Sequence, residues 1–209
     1  MTSQSLTINT NDLIYWFNAI RNLPDDERTR ALDATWSGQL QSKAWLVNTL
    51  KQYMNQPSNV YIFGGWIGIL ASMMFQHLPV KKIRSIDLDP WCESIADMIN
   101  KPYEMDEWRF KAITNDMKSY DYDWGITSDV VINTSSEHVD QFTYDHWFNM
   151  ICPGSLIVVQ GNNFFDCSEH IRCSQSLNDF ENMNNVYNPL FSGQFHTDQY
   201  TRYMSIWRK

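Results

Sequence analysis

The stretch VYIFGGWIGILASMMFQHLPVKKIRSIDLDP, residues Val60 to Pro90, decides the fold. Val60 to Phe63 is a short apolar run of the β-branched and aromatic character expected of a buried strand. Gly64, Gly65 and Gly68 follow at once, and the apolar segment Ile69 to Leu78 then reads as a helix. Ile83 to Ile86 is a second strand, ending on Asp87. Strand, glycine turn, helix, strand and acid together lay out a nucleotide-binding β-α-β unit. Glycine lets the main chain turn tightly and approach a ligand closely, and a carboxylate about 20 residues further on can take both hydroxyls of a ribose.

The flanking residues extend this unit. Upstream, Asp12 to Asn22 is predicted to be helical behind a cap at Thr10 or Asn11, with Leu13, Trp16, Phe17 and Ile20 as one apolar stripe. Pro24 with Asp25, Asp26 and Glu27 starts a second helix running to about Trp36. Ser37-Gly38 punctuates it, and Gln39 to Tyr53 forms a third. Residues 1–56 are therefore read as an N-terminal helical extension or cap, and 57–209 as the main domain.

Downstream, Pro90 begins a helix to Asn100, and Trp108 to Thr114 is a third strand with Asn115-Asp116-Met117 at its end. Lys118 to Thr127 reads as loop. Asp129 to Asn133 is a fourth strand ending in the polar run Thr134 to His138. Val139 to Met150 is predicted to be a helix packing Phe142, Trp147 and Phe148, and Leu156 to Gln160 a fifth strand ending at Gly161-Asn162-Asn163. A helix over Ser168 to Met183 precedes two strands, Asn185 to Phe191 and Gln199 to Trp207, expected to be antiparallel neighbours. Five β-α units closed by a hairpin predict an α/β three-layer sandwich. In open sheets of this kind ligands lie outside the carboxyl ends of the strands, so every polar strand-end cluster faces one crevice.

Composition narrows the function. A chain of 209 residues suits one domain with a full core, and nine Trp, ten Tyr and eleven Phe argue against disorder. The formal charge of −8 disfavours a nucleic-acid partner, which needs a basic surface. No apolar run approaches the roughly 20 residues of a membrane span, and no signal-peptide pattern precedes the first helix, so a soluble, cytoplasmic protein without a membrane partner is expected. The four cysteines form no C-x-x-C pair and fit reduced thiols. Cys167, His170 and Cys173 do not share one helical face and lack a fourth ligand, so no metal is expected.

From Val60 to the C-terminus the chain resembles the class I S-adenosylmethionine-dependent methyltransferases. VYIFGGWIG resembles their glycine-rich first motif, SIDLDP the acidic second, and the end TRYMSIW their terminal hairpin. The resemblance implies a Rossmann-like, seven-stranded, mostly parallel sheet with an antiparallel last strand, and S-adenosyl-L-methionine as cofactor. It implies that Gly64, Gly65 and Gly68 form the floor under the methionine moiety, that Asp87 meets the ribose hydroxyls, and that Leu88 lies against the adenine. Asp116 and Met117 look like the pair that meets the adenine amine and ring face, and Asn133 and Thr134 lie where the family places its fourth motif. The chain departs from the pattern at Ile62, where an acid is common, and at Trp66, which stands at the usual middle glycine. That indole would close the pocket, pack on the sulfonium, or fill the slot.

Methyl transfer from a sulfonium is an in-line displacement that needs alignment and, for an alcohol or protonated amine, a base. The candidates lie in NTSSEH: Glu137 or His138 as base, and Asn133 orienting the acceptor through its carbonyl oxygen. The same run also suits plain helix capping, with Ser135 or Ser136 as cap. Lys43, one helix before the first strand, suits either the surface or a contact with an anionic group. The run lacks the N-P-P-Y pattern of nucleic-acid amino-methylating enzymes, which leaves a small-molecule or protein acceptor. Two other functions share these residues: a non-catalytic binding or interaction module on the same fold, and a nicotinamide-linked oxidoreductase.

Overall fold

The structure, a computed structural model, describes residues 5–120 and 129–209. Seven strands form one sheet: β1 (Ser58–Phe63), β2 (Val80–Asp87), β3 (Phe110–Thr114), β4 (Val130–Asn133), β5 (Leu156–Asn162), β6 (Phe191–His196) and β7 (Thr201–Arg208). Their order is β3-β2-β1-β4-β5-β7-β6. β1 to β5 are parallel neighbours, whereas β7 runs antiparallel to both β5 and β6. Strand order reverses between β1 and β4, where Phe63 pairs with Ile86 on one side and Asn133 on the other. That reversal creates the crevice.

Helices cover both faces. They are α1 (Thr10–Arg21), α2 (Asp25–Asp33), α3 (Ser37–Leu50), α4 (Ile69–His77), α5 (Pro90–Ile99), α6 (Lys101–Met105), α7 (Gln141–Met150) and α8 (Leu177–Met183), with a 3-10 turn at Ser136–His138. Alternation along β1 divides the core: Val60 and Ile62 join the α1–α5 side with Trp16, Leu46 and Met74, while Tyr61 and Phe63 join Tyr144 and Trp147 of α7. β4 and β5 are buried along their whole length, which explains their unbroken apolar runs. The N-terminal helices share the larger core. Asp12 of α1 accepts from Gln76 Nε2 at 2.6 Å and Tyr103 Oη at 2.8 Å, and Trp16 Nε1 donates to Ser72 Oγ at 2.9 Å.

Several boundaries differ from the sequence reading. Asn9, not Thr10 or Asn11, caps α1, accepting from Asn11 N at 2.8 Å. Phe17 is 66 % exposed, outside the buried stripe of Trp16 and Ile20. Ser37 and Gly38 lie inside α3, and position 38 is a glycine because an added Cβ would come 2.2 Å from the Trp36 ring. α7 is capped by Asp140, which accepts from Thr143 N, and Phe142 on it points outward. Only Leu177–Met183 of the predicted 168–183 helix forms, and the sixth strand begins at Phe191 instead of ending there. His170 consequently lies in a loop, and His196 ends β6. Most of the acidic loop expected over 118–127 falls outside the described residues. Among the described residues no helix is long and apolar enough to cross a membrane.

Candidate active site

A cavity of about 1450 Å³ opens at the carboxyl ends of β1, β2 and β4. Its wall at β1 is the turn Gly64-Gly65-Trp66. Gly64 sits at φ +66°, in the left-handed region, and an added Cβ would come 2.2 Å from Ser135 Oγ. Thr134 Oγ1 donates to the Gly64 carbonyl at 3.0 Å, so the glycine turn and the segment after β4 are fastened together. At Gly65 a Cβ would meet Ser85 Oγ at 1.9 Å. Trp66 adopts a left-handed backbone, at φ +50°, a conformation that costs a side-chain-bearing residue about 1–2 kcal/mol. Its half-buried indole lines the cavity and packs on the core. Gly68, by contrast, lies outside the lining; its carbonyl accepts from Asn100 Nδ2 at 3.0 Å, joining the start of α4 to the end of α5.

At the end of β2, Asp87 faces the same space. Its carboxylate accepts from the backbone N–H of Trp66 at 2.9 Å and of Asp89 at 3.1 Å, which fixes its orientation. Burial pushes the Asp87 carboxyl above its ordinary range, against the two backbone hydrogen bonds that lower it. Leu88, 71 % exposed, lies on the rim, and Asp116 and Met117 line the wall beyond β3. Thus Gly64, Gly65, Trp66, Asp87, Leu88, Asp116 and Met117 are gathered in one cavity.

The segment after β4 departs from a simple catalytic row. Asn133 is fully buried and outside the lining; its Oδ1 accepts from Ser135 N at 3.0 Å, and its Nδ2 has no partner among the described residues. Glu137 lines the cavity but is 2 % exposed, and its Oε1 accepts from Arg202 Nη1 at 2.5 Å and Asn162 Nδ2 at 2.7 Å. His138 is exposed on the cavity wall, its ring edge-on to that of His170 with centroids 4.6 Å apart. Burial lowers the His170 pKa, with Glu137 opposing the shift.

The N-terminal helices close the far side. Arg30, Trp36, Gln39, Ser42 and Lys43 all line the cavity. Ser42 Oγ donates to Gln160 Oε1 at 3.3 Å, tying α3 to β5. Lys43 Nζ donates to Gln39 Oε1 at 2.9 Å, and burial, then repulsion from Arg202, pushes its pKa down to about 7. α2 is clasped to the start of α5: Arg30 pairs with Asp89 and lies 4.2 Å over the Trp91 ring, and Trp91 Nε1 donates to Glu27 Oε2 at 2.9 Å. Sequence reasoning missed Arg202, which sits in the expected last strand and whose buried pairing with Glu137 joins residues 65 apart in sequence.

No family model matches the chain, and no curated protein sequence does. Solved structures do. The N-methyltransferase NodS from Bradyrhizobium japonicum WM9, in complex with S-adenosyl-L-homocysteine, superposes with a TM-score of 0.67 at 13 % identity, over 93 % of this chain and 98 % of NodS. The fold is that of the class I methyltransferases. Other structures with the methyltransferase fold superpose similarly. The magnesium protoporphyrin IX methyltransferase ChlM from Synechocystis PCC 6803, with bound S-adenosylmethionine, gives a TM-score of 0.62 at 13 % identity, over 96 % of this chain and 92 % of ChlM. TrmK of M. capricolum, with S-adenosyl-homocysteine, gives 0.56 at 10 % identity, over 78 % of this chain and 66 % of TrmK.

Proposed function

We propose that the protein is an S-adenosyl-L-methionine-dependent methyltransferase acting on a small-molecule or protein acceptor by in-line displacement. The observation that carries this reading is the meeting of the Gly64-Gly65-Trp66 turn and the Asp87 carboxylate in a single cavity of the methyltransferase fold. The cavity exceeds the roughly 300–1,000 Å³ of an ordinary ligand pocket, which leaves room for an acceptor beside the cofactor. When bound, the sulfonium supplies an electrophilic methyl group with a neutral thioether as leaving group.

In this reading the chain's own residues bind, orient and exclude water. Gly64 and Gly65 bring bare backbone to the methionine end, and the Trp66 indole walls it off from solvent. Asp87, already held by two backbone N–H groups, accepts from the ribose hydroxyls, with Leu88 against one face of the adenine and Asp116 and Met117 at its edge. Asn133 acts as a positioning residue, shaping the turn into Ser135. His138, exposed in the cavity, is the better-placed base, because one Glu137 oxygen is already taken by Arg202 and Asn162. Lys43, with its pKa near 7, is a second group able to hold or release a proton around neutrality.

Thermal unfolding with S-adenosylmethionine, S-adenosylhomocysteine and NAD tests this. A ligand at about a hundred times its dissociation constant adds roughly 2.7 kcal/mol of apparent stability. Stabilisation by the two adenosyl ligands, lost in Asp87→Ala, supports the reading. A response to the dinucleotide alone refutes it, and adenosyl binding without turnover on any acceptor favours an interaction module.

A further inference from the structure

Beside the glycine turn, a second cluster has chemistry that methyl transfer alone does not require. Glu137, His138 and His170 each offer one ligand atom, and these three atoms lie within 4.8 Å of one another. Two imidazoles and a carboxylate form the donor set of catalytic zinc sites and of the three-ligand face that holds other divalent transition metals with positions left open. Their surroundings fit such a role. Glu137 Oε1 is engaged by Arg202 and Asn162, while Oε2 is buried with no partner among the described residues. A buried carboxylate oxygen left unpaired is costly unless something binds it. His170 Nδ1 lies 3.2 Å from the Phe164 carbonyl oxygen; donation there leaves Nε2 as the free lone pair, the arrangement that orients metal-binding imidazoles.

The loop that carries His170 is held in place. The backbone N–H groups of Ile171 and Arg172 donate to the Glu137 carbonyl at 2.9 and 3.0 Å, and Arg172 Nη1 donates to the Ser136 carbonyl at 3.0 Å. The side chains therefore meet because main chain is pinned to main chain. Zinc–nitrogen and zinc–oxygen bonds of about 2.0–2.2 Å call for ligand atoms about 3.4 Å apart in a tetrahedral site, so the side chains must draw together on binding an ion.

We propose that Glu137, His138 and His170 form a binding site for one divalent transition-metal ion, with its open positions toward the cavity, where they orient an acceptor through an oxygen donor. The orienting role rests on the methyltransferase reading, and with an ion bound His138 is a ligand, so the proton falls to Lys43; metal binding does not depend on that reading. The test is calorimetric titration of Zn²⁺ and Mn²⁺ into the chelator-stripped full-length chain, with Co²⁺ absorption as a second readout. One ion per chain is expected, with a Co²⁺ spectrum of nitrogen and oxygen ligands lacking thiolate charge transfer. His138→Ala and His170→Ala should each weaken binding at least tenfold, and circular dichroism of the metal-free variants should match the parent. Cys167→Ser/Cys173→Ser should bind as the parent does. No binding of any of the three ions, unchanged binding in both histidine variants, or loss in the cysteine variant would overturn the proposal. Calorimetry with S-adenosylhomocysteine, run separately, would show whether the methyltransferase reading fails on its own.

Discussion

Replacing Lys43 by Met should alter how stability depends on pH. The cavity wall pushes the Lys43 pKa from 10.5 down to about 7, with burial as the main cause and the neighbouring Arg202 guanidinium as the second. Below pH 7 the side chain is charged in both folded and unfolded chains, and the folded chain bears the full desolvation cost. Above pH 10.5 it is neutral in both, and the cost is gone. Between these limits the unfolded chain binds more protons, so stability rises with pH, by at most about 1.36 kcal/mol per unit. From pH 7 to pH 9 that ceiling is about 2.7 kcal/mol; because the side chain is only partly buried, screening reduces the expected gain to roughly 1–2 kcal/mol. Methionine keeps the length and the packing but carries no proton. Urea unfolding of parent and Lys43→Met at pH 6, 7, 8 and 9 should give curves parallel up to pH 7, with the parent gaining on the variant thereafter. Parallel curves across the whole range would show that the ammonium is solvated, and the account of the cavity wall would fail.

Other substitutions test the site's scaffold. Arg202→Met leaves the Glu137 carboxylate buried without its cation and should cost about 3 kcal/mol in urea unfolding, as buried pairs broken on one side do. Adding Glu137→Gln should return a large part of it, and a single-variant cost below about 1 kcal/mol would contradict a buried pair. Gly64→Ala should destabilise by about 2 kcal/mol or more, since a left-handed φ adds to a contact of 2.4 Å with Ser135 Cβ. Adding Ser135→Gly should relieve only the steric part, leaving about 1 kcal/mol from the backbone; full rescue would show that φ is not constrained.

The β1–α4–β2 unit was legible because its signals are local: an apolar strand, a glycine turn, and an acid at the next strand's end. Six of the seven strands were legible for the same reason. The first hairpin strand was placed too early because Val186, Tyr187, Leu190 and Phe191 give the run a strand-like apolar and aromatic character, yet β6 is fixed by pairing with β7, where Phe191 meets Ile206 and His196 meets Thr201. The long helix expected over 168–183 shortens to α8 because Arg172 is spent elsewhere. Its guanidinium donates to Gln141 Oε1, to the carbonyls of Ser136 and Met183, and to Asn184 Oδ1, which pins the segment before α8 to the turn after β4 and to the end of α8. That same diversion brings His170 to Glu137 and His138, a meeting that no spacing in the sequence announces. At Trp66 the sequence showed a departure and left its effect open. The backbone adopts a left-handed conformation, and the indole forms part of the wall.

The first two helices are held by different sets of contacts. α1 is moored through the buried Asp12–Ser72–Trp16 network, whereas α2 sinks Ala31 into the core and meets the rim at the surface through Arg30, Asp89, Trp91 and Glu27. Mobile ions weaken exposed pairs and scarcely affect enclosed ones. High salt should therefore weaken the Arg30–Asp89 pair at the mouth, while the buried Ala31 keeps α2 seated and α1 stays put.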